Sequence, residues 1–314
     1  QRHHPMPARP ETLADVSAPN CSGQTALVTG STNGIGRAAA LALGRLGADV
    51  IVHGRDAEAG ESVVDALEAT GADARFVQAD FADPDAVRHL AAATREWTGG
   101  LDLLINNAGG LFREGRLVGP GVEQTFHVNH LAPYLLTAEL LDHLRDGARV
   151  VTTASEAHRG ASFDLSRIQD AEGLSGMGAY SLSKLANVLF AAELARRLDA
   201  AGRAVVSHSV HPGFVPGSKF GRFLPGLLAS LFQWIGVVPG TSSVADGAAE
   251  ILTVALSDEA GADSGRYYSG QQPVSPAPDA RDPDAARRLW RRSADLLGID
   301  EPLPAADDAR RRPS

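Results

Sequence analysis

Residues 25–41 read Thr-Ala-Leu-Val-Thr-Gly-Ser-Thr-Asn-Gly-Ile-Gly-Arg-Ala-Ala-Ala-Leu, a short apolar run that passes through a glycine-rich turn into a helix-forming segment. Unpaired N–H groups and the helix dipole at such a helix N-terminus attract an anion, and glycines let a phosphate approach the backbone. Three residues separate Gly30 from Gly34-Ile35-Gly36, unlike the general G-x-G-x-x-G dinucleotide pattern. The stretch therefore predicts a strand, a phosphate-binding turn and a helix, with a tight turn that holds no ligand as the alternative.

Beyond this turn, short β-branched runs alternate with longer Ala-rich segments, which is the pattern of a parallel sheet with crossover helices. The predicted strands are Thr25–Thr29, Val50–His53, Arg75–Ala79, Leu101–Ile105, Arg149–Thr153 and Ala204–Val210. The predicted helices are Ile35–Leu46, Glu58–Thr70, Pro84–Trp97, Gly121–Leu144, Ala179–Ala201, Ser242–Ser257 and Ala285–Leu297. We predict an α/β protein with a single doubly wound Rossmann domain over residues 23–300, a central parallel sheet of about seven strands and helices on both faces.

Both ends of the chain, Gln1–Ser22 and Glu301–Ser314, are rich in proline and charge, and we predict that both are disordered tails. The lone cysteine, Cys21, excludes an internal disulfide framework, and we interpret it as a bystander in the first tail. The N-terminal residues lack the apolar core of an export signal. The most apolar stretch, Phe223–Val238, is shorter than the ~20 residues of a bilayer span, so we expect a cytoplasmic protein. We interpret that stretch as a buried or lid-like segment, with contact to a membrane surface as the alternative.

The charge balance restricts the partners of the protein. The formal net charge is −9 and the pI is near 5.6, whereas a nucleic-acid partner usually requires a clustered basic face. The ten histidines show no ligand spacing with carboxylates that would indicate zinc. We therefore predict neither a nucleic-acid partner nor a metal site.

The adenosine ribose of a dinucleotide bound at the glycine turn would lie at the end of the second strand. An acidic residue there takes the ribose hydroxyls, and an arginine accommodates a 2′-phosphate. The strand ends His53-Gly54-Arg55-Asp56, and Arg37 follows the glycine turn. These two arginines favour NADP(H) over NAD(H), although Asp56 is open to two interpretations, a helix N-cap or a ribose acceptor.

Tyr180 and Lys184 are four residues apart on a predicted helix and share one face. Hydride chemistry on an alcohol or ketone needs a group that exchanges one proton, and a phenol can do so. A nearby ammonium, helped by the positive nicotinamide of an oxidised cofactor, stabilises the phenolate and would lower the pKa of Tyr180 toward neutrality. The chain holds only two lysines, Lys184 and Lys219, among many arginines. The use of lysine here has a chemical explanation, because a planar guanidinium cannot replace a compact ammonium equivalently. A surface helix pair is the alternative for an isolated Tyr-x-x-x-Lys.

These motifs, in this order, resemble the short-chain dehydrogenase/reductase family over Gln24 to about Gly270. Runs such as Val128-Asn129-His130-Leu131, Ser183-Lys184-Leu185-Ala186-Asn187 and His211-Pro212-Gly213 are similar to its retinol-dehydrogenase and protochlorophyllide-reductase-like branch. The resemblance implies a catalytic set of Asn129, Ser155, Tyr180 and Lys184. It implies cofactor contacts from Gly30, Ser31, Asn33, Gly34, Ile35, Gly36, Arg37, Arg55, Asp80, Phe81, Asn107, Ala108, Gly109, Tyr180, Lys184, Pro212 and Gly213.

The resemblance also implies individual roles. Ser155 would hold the substrate oxygen, although Ala154 replaces the first serine of the pair that is common there. Asn129 would hold a water that links Lys184 to solvent, and it is compatible with a helix kink. His158 and Arg159 would begin an insertion, either at the substrate mouth or as solvated loop residues. Residues 214–240 would form a substrate lid, with plain core packing as the alternative.

The expected activity is the NADP(H)-dependent interconversion of a carbonyl and an alcohol on an apolar small molecule. Two alternatives remain at this stage. One is a cofactor-binding regulator or scaffold without turnover, and the other is reduction of a carbon–carbon double bond on the same fold. The resemblance further implies a homodimer or homotetramer that associates through the helices predicted at Gly121–Leu144 and Ala179–Ala201. Cover of this interface by the extended C-terminal segment is the alternative.

Overall fold

The structure is a computed structural model of the 314-residue chain, and it describes residues 8–16, 21–170, 172–174, 176–213 and 242–304. The strands are β1 Thr25–Val28, β2 Asp49–Gly54, β3 Ala74–Gln78, β4 Leu101–Asn106, β5 Leu117–Val118, β6 Val122–Glu123, β7 Leu144–Thr153, β8 Val206–His211, β9 Tyr267–Ser269 and β10 Gln272–Val274. The helices are α1 Pro10–Leu13, α2 Gly34–Arg45, α3 Ala57–Glu68, α4 Pro84–Trp97, α5 Gln124–Phe126, α6 Ala132–Leu140, α7 Gly176–Ala200, α8 Val244–Leu256, α9 Asp258–Gly261 and α10 Pro283–Leu297.

Eight strands form the main sheet in the order β3-β2-β1-β4-β7-β8-β9-β10. The first seven pair in parallel, and β10 adds antiparallel to β9 at the edge. Strand β1 pairs with β2 on one side and with β4 on the other, so the order of the strands reverses there. In open α/β sheets a ligand binds outside the carboxyl ends of the strands at such a reversal. The predicted doubly wound Rossmann domain with its parallel sheet is confirmed.

Two apolar clusters cover the two faces of the sheet. One contains side chains from α4, α6, α7 and α10, and the other contains side chains from α1, α2, α3 and α8. Most helices begin at a capping residue that the sequence provides: Asp83 before Pro84 and Asp282 before Pro283 each accept an N–H from the first turn. The helices are therefore fixed on both faces by local capping together with burial.

The N-terminal segment differs from the predicted disordered tail. Residues 10–13 form α1, and the Glu11 carboxylate receives two hydrogen bonds of 2.7 Å from the Arg45 guanidinium on α2. Val16 and Cys21 are buried in the same apolar cluster as α2 and α8. The prediction of disorder is therefore wrong for residues 8–16 and for Cys21, because the pairing partner of this segment lies 34 residues away in the sequence.

The C-terminal prediction is wrong at its start. Arg197 on α7 donates to the carbonyl oxygen of Leu303 at 2.7 Å and pairs with the carboxylate of Glu301 at 2.6 Å. The indole N–H of Trp290 donates to the carbonyl oxygen of Pro302 at 3.0 Å. Residues 301–304 are therefore fixed against α7 and α10, and residues 305–314 lie outside the described residues.

The helix predicted over Gly121–Leu144 is divided. A β5–β6 hairpin occupies its start, with Gly119 and Gly121 at positive φ. A π-helix over His127–Leu131 then joins α5 to α6, and β7 begins at Leu144. Pro133 has no N–H for a regular helix at this point, so the backbone changes register.

The face predicted to join subunits is covered within the chain. Helix α7 is buried along most of its length, because α10 packs against it. The ring of Trp290 on α10 stacks on Phe190 of α7 at 5.8 Å and meets Tyr134 of α6 edge-on at 5.0 Å. Association through this face would require displacement of α10, and the oligomeric state stays a prediction. Among the described helices, none combines the length and hydrophobicity of a membrane span.

Candidate active site

The predicted site residues lie at one edge of the sheet, at the carboxyl ends of five parallel strands. The glycine turn follows β1, Arg55 follows β2, Asn107 follows β4, Ser155 follows β7 and Pro212 follows β8. Lys184 reaches this edge from α7, since its ammonium donates to the carbonyl oxygen of the last β7 residue. Tertiary structure therefore brings together residues that are far apart in the sequence, such as Gly30 and Pro212, which are 182 positions apart.

The glycine turn is built for close backbone contact. Gly30 has φ +65°, and a Cβ on it would lie 2.8 Å from the Cα of Ala108. A Cβ on Gly36 would collide with the Asn107 amide and with the carbonyl oxygen of Gly30. The turn packs on the loop after β4, and a side chain at either glycine would separate them.

Helix α2 starts beside this turn with its first N–H groups available. Its N-cap residue, Asn33, makes no side-chain capping hydrogen bond within the described part of the chain. A capping side chain would occupy donors that a phosphate could otherwise use. The arrangement fits an anion at the start of α2, as predicted from the sequence.

Ser31 does not have the position that the sequence predicts. Its side chain is fully buried, and its hydroxyl donates to the carbonyl oxygen of Val28 at 2.6 Å and accepts the N–H of His53 at 3.1 Å. The hydroxyl therefore joins β1 to β2. The prediction of Ser31 as a cofactor contact is wrong for its side chain, because both hydrogen-bonding directions are already used in the interior.

His53 supports the turn, a role that the sequence analysis missed. The N–H of Gly30 donates to its Nδ1 at 3.1 Å, and its Nε2 lies 3.1 Å from the carbonyl oxygen of Ala79. The ring stacks on Phe81 with centroids 4.4 Å apart, and Phe81 is itself buried. Burial lowers the pKa of His53 to about 4, so the ring is neutral and Nε2 carries the proton. A polar residue between Val52 and Gly54 in a buried strand is the sequence signal for such a role.

The region that would select the dinucleotide contains two exposed arginines. Arg37 and Arg55 are both exposed to solvent. The carboxylate of Asp56 accepts the N–H of Ala59 at 3.1 Å and caps α3, which favours the helix-cap interpretation of this residue. Thr32 occupies the space that a side chain at position 54 would fill, so Gly54 is needed there. Two guanidinium groups are therefore exposed near the end of β2.

Asn107 acts on the turn through its amide. Its Nδ2 donates to the carbonyl oxygens of Thr29 at 3.0 Å and Gly30 at 3.3 Å, and its own N–H donates to the Thr29 hydroxyl at 3.0 Å. Asn107 and the glycine turn are therefore one unit. Asp80 lies exposed after β3, where its carboxylate accepts the N–H of Ala82.

The proposed chemistry has its reacting groups in contact. The Tyr180 phenol shares a hydrogen bond with the Ser155 hydroxyl, and the Lys184 ammonium lies 5.5 Å from the centre of the Tyr180 ring. Burial raises the pKa of Tyr180, and the hydrogen bond with Ser155 opposes this rise. Burial also lowers the pKa of Lys184 to about 8. Without a cofactor, desolvation of the phenolate exceeds the favourable contacts and the pKa of Tyr180 is raised. The expected lowering, which includes the positive nicotinamide of the bound cofactor, stays a prediction.

Asn129 is held by the backbone and not by Lys184. Its Oδ1 accepts the N–H of Gly110 at 2.8 Å, and its Nδ2 donates to the carbonyl oxygen of Gly110 at 2.9 Å and to the Ser183 hydroxyl at 3.0 Å. Its position in the π-helix supports the predicted kink. The carbonyl oxygen of Asn129 faces α7, where the Asn187 amide contacts it.

The loop after Ser155 is fastened to the C-terminal part of the chain. His158 is fully buried, its Nδ1 lies 2.7 Å from the carbonyl oxygen of Ser155, and its Nε2 accepts the N–H of Ala277 at 3.0 Å. The Glu156 carboxylate accepts the Tyr267 phenol at 2.6 Å. Arg159 donates to the carbonyl oxygen of Ser275 at 3.0 Å. Both interpretations of His158 as a mouth or solvated residue are wrong, because the ring links this loop to residue 277.

Three further residues that were predicted to contact the cofactor, Ile35, Pro212 and Gly213, lie close together. A Cβ on Gly247 of α8 would lie 2.8 Å from both the carbonyl oxygen of Pro212 and the Cδ1 of Ile35, so Gly247, Pro212 and Ile35 converge on one point. Gly213 has φ +80° and lies directly after Pro212. The predicted lid over 214–240 lies outside the described residues.

Comparison with known proteins agrees with this site. The family model described as short chain dehydrogenase matches residues 24–222. The bovine dehydrogenase/reductase SDR family member 13 is 38% identical over 299 residues, which cover 90% of this chain and 77% of that protein. Human retinol dehydrogenase 13 is 35% identical, with 89% and 86% covered. A protein of Streptomyces sp. (strain C5) that carries the provisional name daunorubicin C-13 ketoreductase is 37% identical, with 88% and 93% covered.

Among solved structures, a short chain dehydrogenase from Burkholderia cenocepacia J2315 in complex with NADP superimposes with a TM-score of 0.65 at 31% identity. The alignment covers 84% of this chain and all of that one. Fold, motif order and relatives agree, and the chain belongs to the short-chain dehydrogenase family, in its retinol-dehydrogenase-like branch.

Proposed function

We propose that the protein is an NADP(H)-dependent oxidoreductase that interconverts a carbonyl and an alcohol on an apolar small molecule, with Tyr180 as the general acid/base. One observation carries the proposal: the Tyr180 phenol hydrogen-bonds the Ser155 hydroxyl and lies beside the Lys184 ammonium. All three are at the sheet edge that holds the glycine turn. A proton donor, a hydroxyl that can hold the substrate oxygen and a cation are thus in one place.

The residues of this edge fit a dinucleotide. The start of α2, with no side-chain cap from Asn33 in the described structure, would hold the pyrophosphate. Gly30 and Gly36 have no room for a Cβ, so the turn stays flat against the loop after β4. Lys184 would bind the nicotinamide ribose, and the nicotinamide would supply or accept the hydride when the cofactor is bound. Asp80 and Phe81 would border the adenine, with Phe81 acting through its backbone because its ring is buried.

Tyr180 is in the protonation state that reduction requires. Because burial raises its pKa, the phenol keeps its proton at neutral pH and can donate it to the oxygen of a carbonyl that becomes an alcohol. Ser155 would hold that oxygen through its hydroxyl. Lys184, with a pKa of about 8, is mainly an ammonium at pH 7 and attracts the charge that develops on the phenolate.

The preference for NADP(H) over NAD(H) rests on Arg55 and Arg37. Both are exposed at the place where the adenosine ribose would lie, and Asp56 is engaged as the cap of α3. A guanidinium binds a 2′-phosphate through charge-assisted hydrogen bonds, and a capping carboxylate is a poor acceptor for ribose hydroxyls. The apolar substrate class is supported by the names of two relatives, a retinol dehydrogenase and a daunorubicin C-13 ketoreductase.

The test is NADPH oxidation with a panel of ketones, aldehydes, quinones, retinoids and steroids, with wild type and Tyr180→Phe side by side. We expect wild type to reduce at least one apolar carbonyl. Loss of the proton donor should lower kcat by about 10²–10⁴-fold, and NADPH binding, measured by fluorescence, should stay within about twofold. Ser166→Ala, in an exposed stretch of the loop, is the matched hydroxyl control.

The other outcomes discriminate among the alternatives. An unchanged rate for Tyr180→Phe refutes the general acid. NADPH binding without turnover of any carbonyl supports the regulator or scaffold. A product with a saturated carbon–carbon bond supports the double-bond reductase, and a higher kcat/KM with NADH than with NADPH refutes the cofactor preference.

A further inference from the structure

Asn187 connects two elements of the active site, although the sequence gives it no role beyond family resemblance. It lies on α7 three residues after Lys184 and is 2% exposed. Its Nδ2 donates to the carbonyl oxygen of Asn129 at 3.0 Å and to the carbonyl oxygen of Thr153 at 3.0 Å. Two carbonyl acceptors fix the orientation of the amide, because only its NH₂ group can donate to both.

The carbonyl oxygen of Asn129 needs such a donor. In a regular α-helix it would accept the N–H of the residue four positions later, and that residue is Pro133, which has no N–H. The backbone is a π-helix at this point. The Asn187 amide therefore gives this buried carbonyl oxygen a side-chain donor in place of the N–H that Pro133 lacks.

The carbonyl oxygen of Thr153 is shared between Asn187 and Lys184. The Lys184 Nζ donates to it at 3.0 Å, and this is the hydrogen bond that the ammonium makes to the described residues. A carbonyl oxygen has two lone pairs, so Asn187 takes one and Lys184 takes the other. An ammonium has three N–H donors, and two of them are left for the groups in front of β7.

We propose that Asn187 is a positioning residue for Lys184, because it fills the acceptors behind the ammonium so that two of the three Nζ–H donors face Tyr180 and the cofactor ribose. The inference rests on the proposed function, in which Lys184 holds that ribose. Without the amide, the backbone oxygens of Thr153 and Asn129 would both compete for the ammonium. Asn187 touches neither cofactor nor substrate and acts through Lys184.

Few titratable groups surround the ammonium in the described structure. Tyr180 lies on the same helix, and His211 at the end of β8 feels the charge of Lys184. On the far side of Asn187, the π-helix brings His130, whose Nε2 lies 2.9 Å from the Ser293 hydroxyl of α10. Burial lowers the pKa of His130 to about 3, and its contact with the Asn187 side chain opposes this shift. Glu156 acts on His211 from the loop after β7. A carboxylate at residue 187 would therefore be the only acidic side chain in contact with Lys184 among the described residues.

The test measures NADPH binding, which needs no substrate. We compare wild type, Asn187→Leu and Asn106→Leu by NADPH fluorescence at pH 7, with circular dichroism as the folding control. Asn106 is the matched control, because it is another buried amide, 2% exposed, that donates to the Thr137 hydroxyl at 3.1 Å and contacts no catalytic group. We expect Kd to rise about tenfold for Asn187→Leu, the value of one hydrogen bond to a charged group, and to change less than about twofold for Asn106→Leu.

In a second variant, Asn187→Asp, the side chain keeps almost the same shape and gains a negative charge, so the variant tests the contact with Lys184 through that charge. NADPH affinity should fall as the pH rises through the pKa of Lys184, because the neutral amine is a weaker partner for the ribose. An added carboxylate favours the ammonium, so the midpoint of this fall should move up by about one pH unit or more. This variant also decides the question when Asn187→Leu does not fold.

Either of two results overturns the proposal. One is an equal loss of NADPH affinity in Asn187→Leu and Asn106→Leu, which would reduce Asn187 to a structural amide. The other is an unshifted pH midpoint in Asn187→Asp. The proposed function fails separately, when Tyr180→Phe keeps its turnover, so the two failures are distinguishable.

Discussion

Acid should unfold this protein because it buries neutral histidines. His53, His127 and His130 are each at most 3% exposed, and burial is the largest cause that lowers each pKa, to about 4, about 4 and about 3. An unfolded histidine takes up its proton near pH 6.5. Between pH 6.5 and 4 the unfolded chain therefore binds more protons than the folded protein, and the free energy of unfolding falls as the pH falls.

The size of the effect follows from these pKa values. At pH 5, a histidine with a folded pKa of about 4 costs the folded state about 2 kcal/mol relative to pH 7.5. The three residues together cost about 6 kcal/mol, which is comparable with the whole stability of an ordinary domain, about 5–15 kcal/mol. We expect the protein to be marginal or unfolded at pH 5, well above the pH at which most carboxylates become protonated.

Urea denaturation at pH 7.5 and pH 5.5, followed by circular dichroism, measures this difference. In His127→Leu the pH dependence should be smaller than in wild type by about 1–2 kcal/mol. This ring is a suitable target because it is fully buried and burial is the largest cause that lowers its pKa to about 4. His89→Asn, which removes an exposed ring, should keep the wild-type dependence. Equal stability of the wild type at both pH values would refute the assignment of neutral buried histidines.

Further predictions concern the cofactor, the buried ion pairs and the covered helix face. Arg55→Ala should raise KM for NADPH by about 10–100-fold and leave KM for NADH nearly unchanged. Steady-state kinetics with both cofactors measures this, and an equal rise of the two KM values would contradict the prediction. Glu193→Ala should lower the free energy of unfolding in urea by about 3–5 kcal/mol, because Arg197, whose side chain is 1% exposed, loses a partner at 2.6 Å. Arg196→Ala removes the more exposed partner of the same carboxylate and should lower it by less than about 1 kcal/mol. Light scattering should detect a monomer for the full chain, and Trp290→Ala should promote self-association by loosening α10; a wild-type dimer that survives this substitution would assign the contact to another surface.

Local signals predicted most helices and strands correctly. The bounds of α4 agree with the prediction at both ends, because Asp83 and Pro84 mark its start and an amphipathic run follows. The strand before the glycine turn and the order of the site motifs were also predictable, since each motif directly follows a predicted strand. The cytoplasmic location stays a prediction.

Long-range contacts explain what the sequence could not predict. Strands β9 and β10 have three residues each, too few for a periodic pattern, and they form because β8 offers an edge. The Glu11–Arg45 pair and the burial of Ser31 depend on residues that meet only in the fold. Motif spacing identifies which residues belong to the site but not their partners, so the roles of His53 and Asn187 could only be assigned from the coordinates.

The attachment of the Ser155 loop to residues 267–277 has a consequence for chimeric enzymes. The family match ends at residue 222, yet Glu156, His158 and Arg159 take their partners from Tyr267, Ala277 and Ser275. A donor loop grafted from a relative to change substrate preference would arrive without those partners. Exchange experiments should therefore transfer residues 155–160 and 265–281 together as one cassette, even though a long stretch of chain separates them.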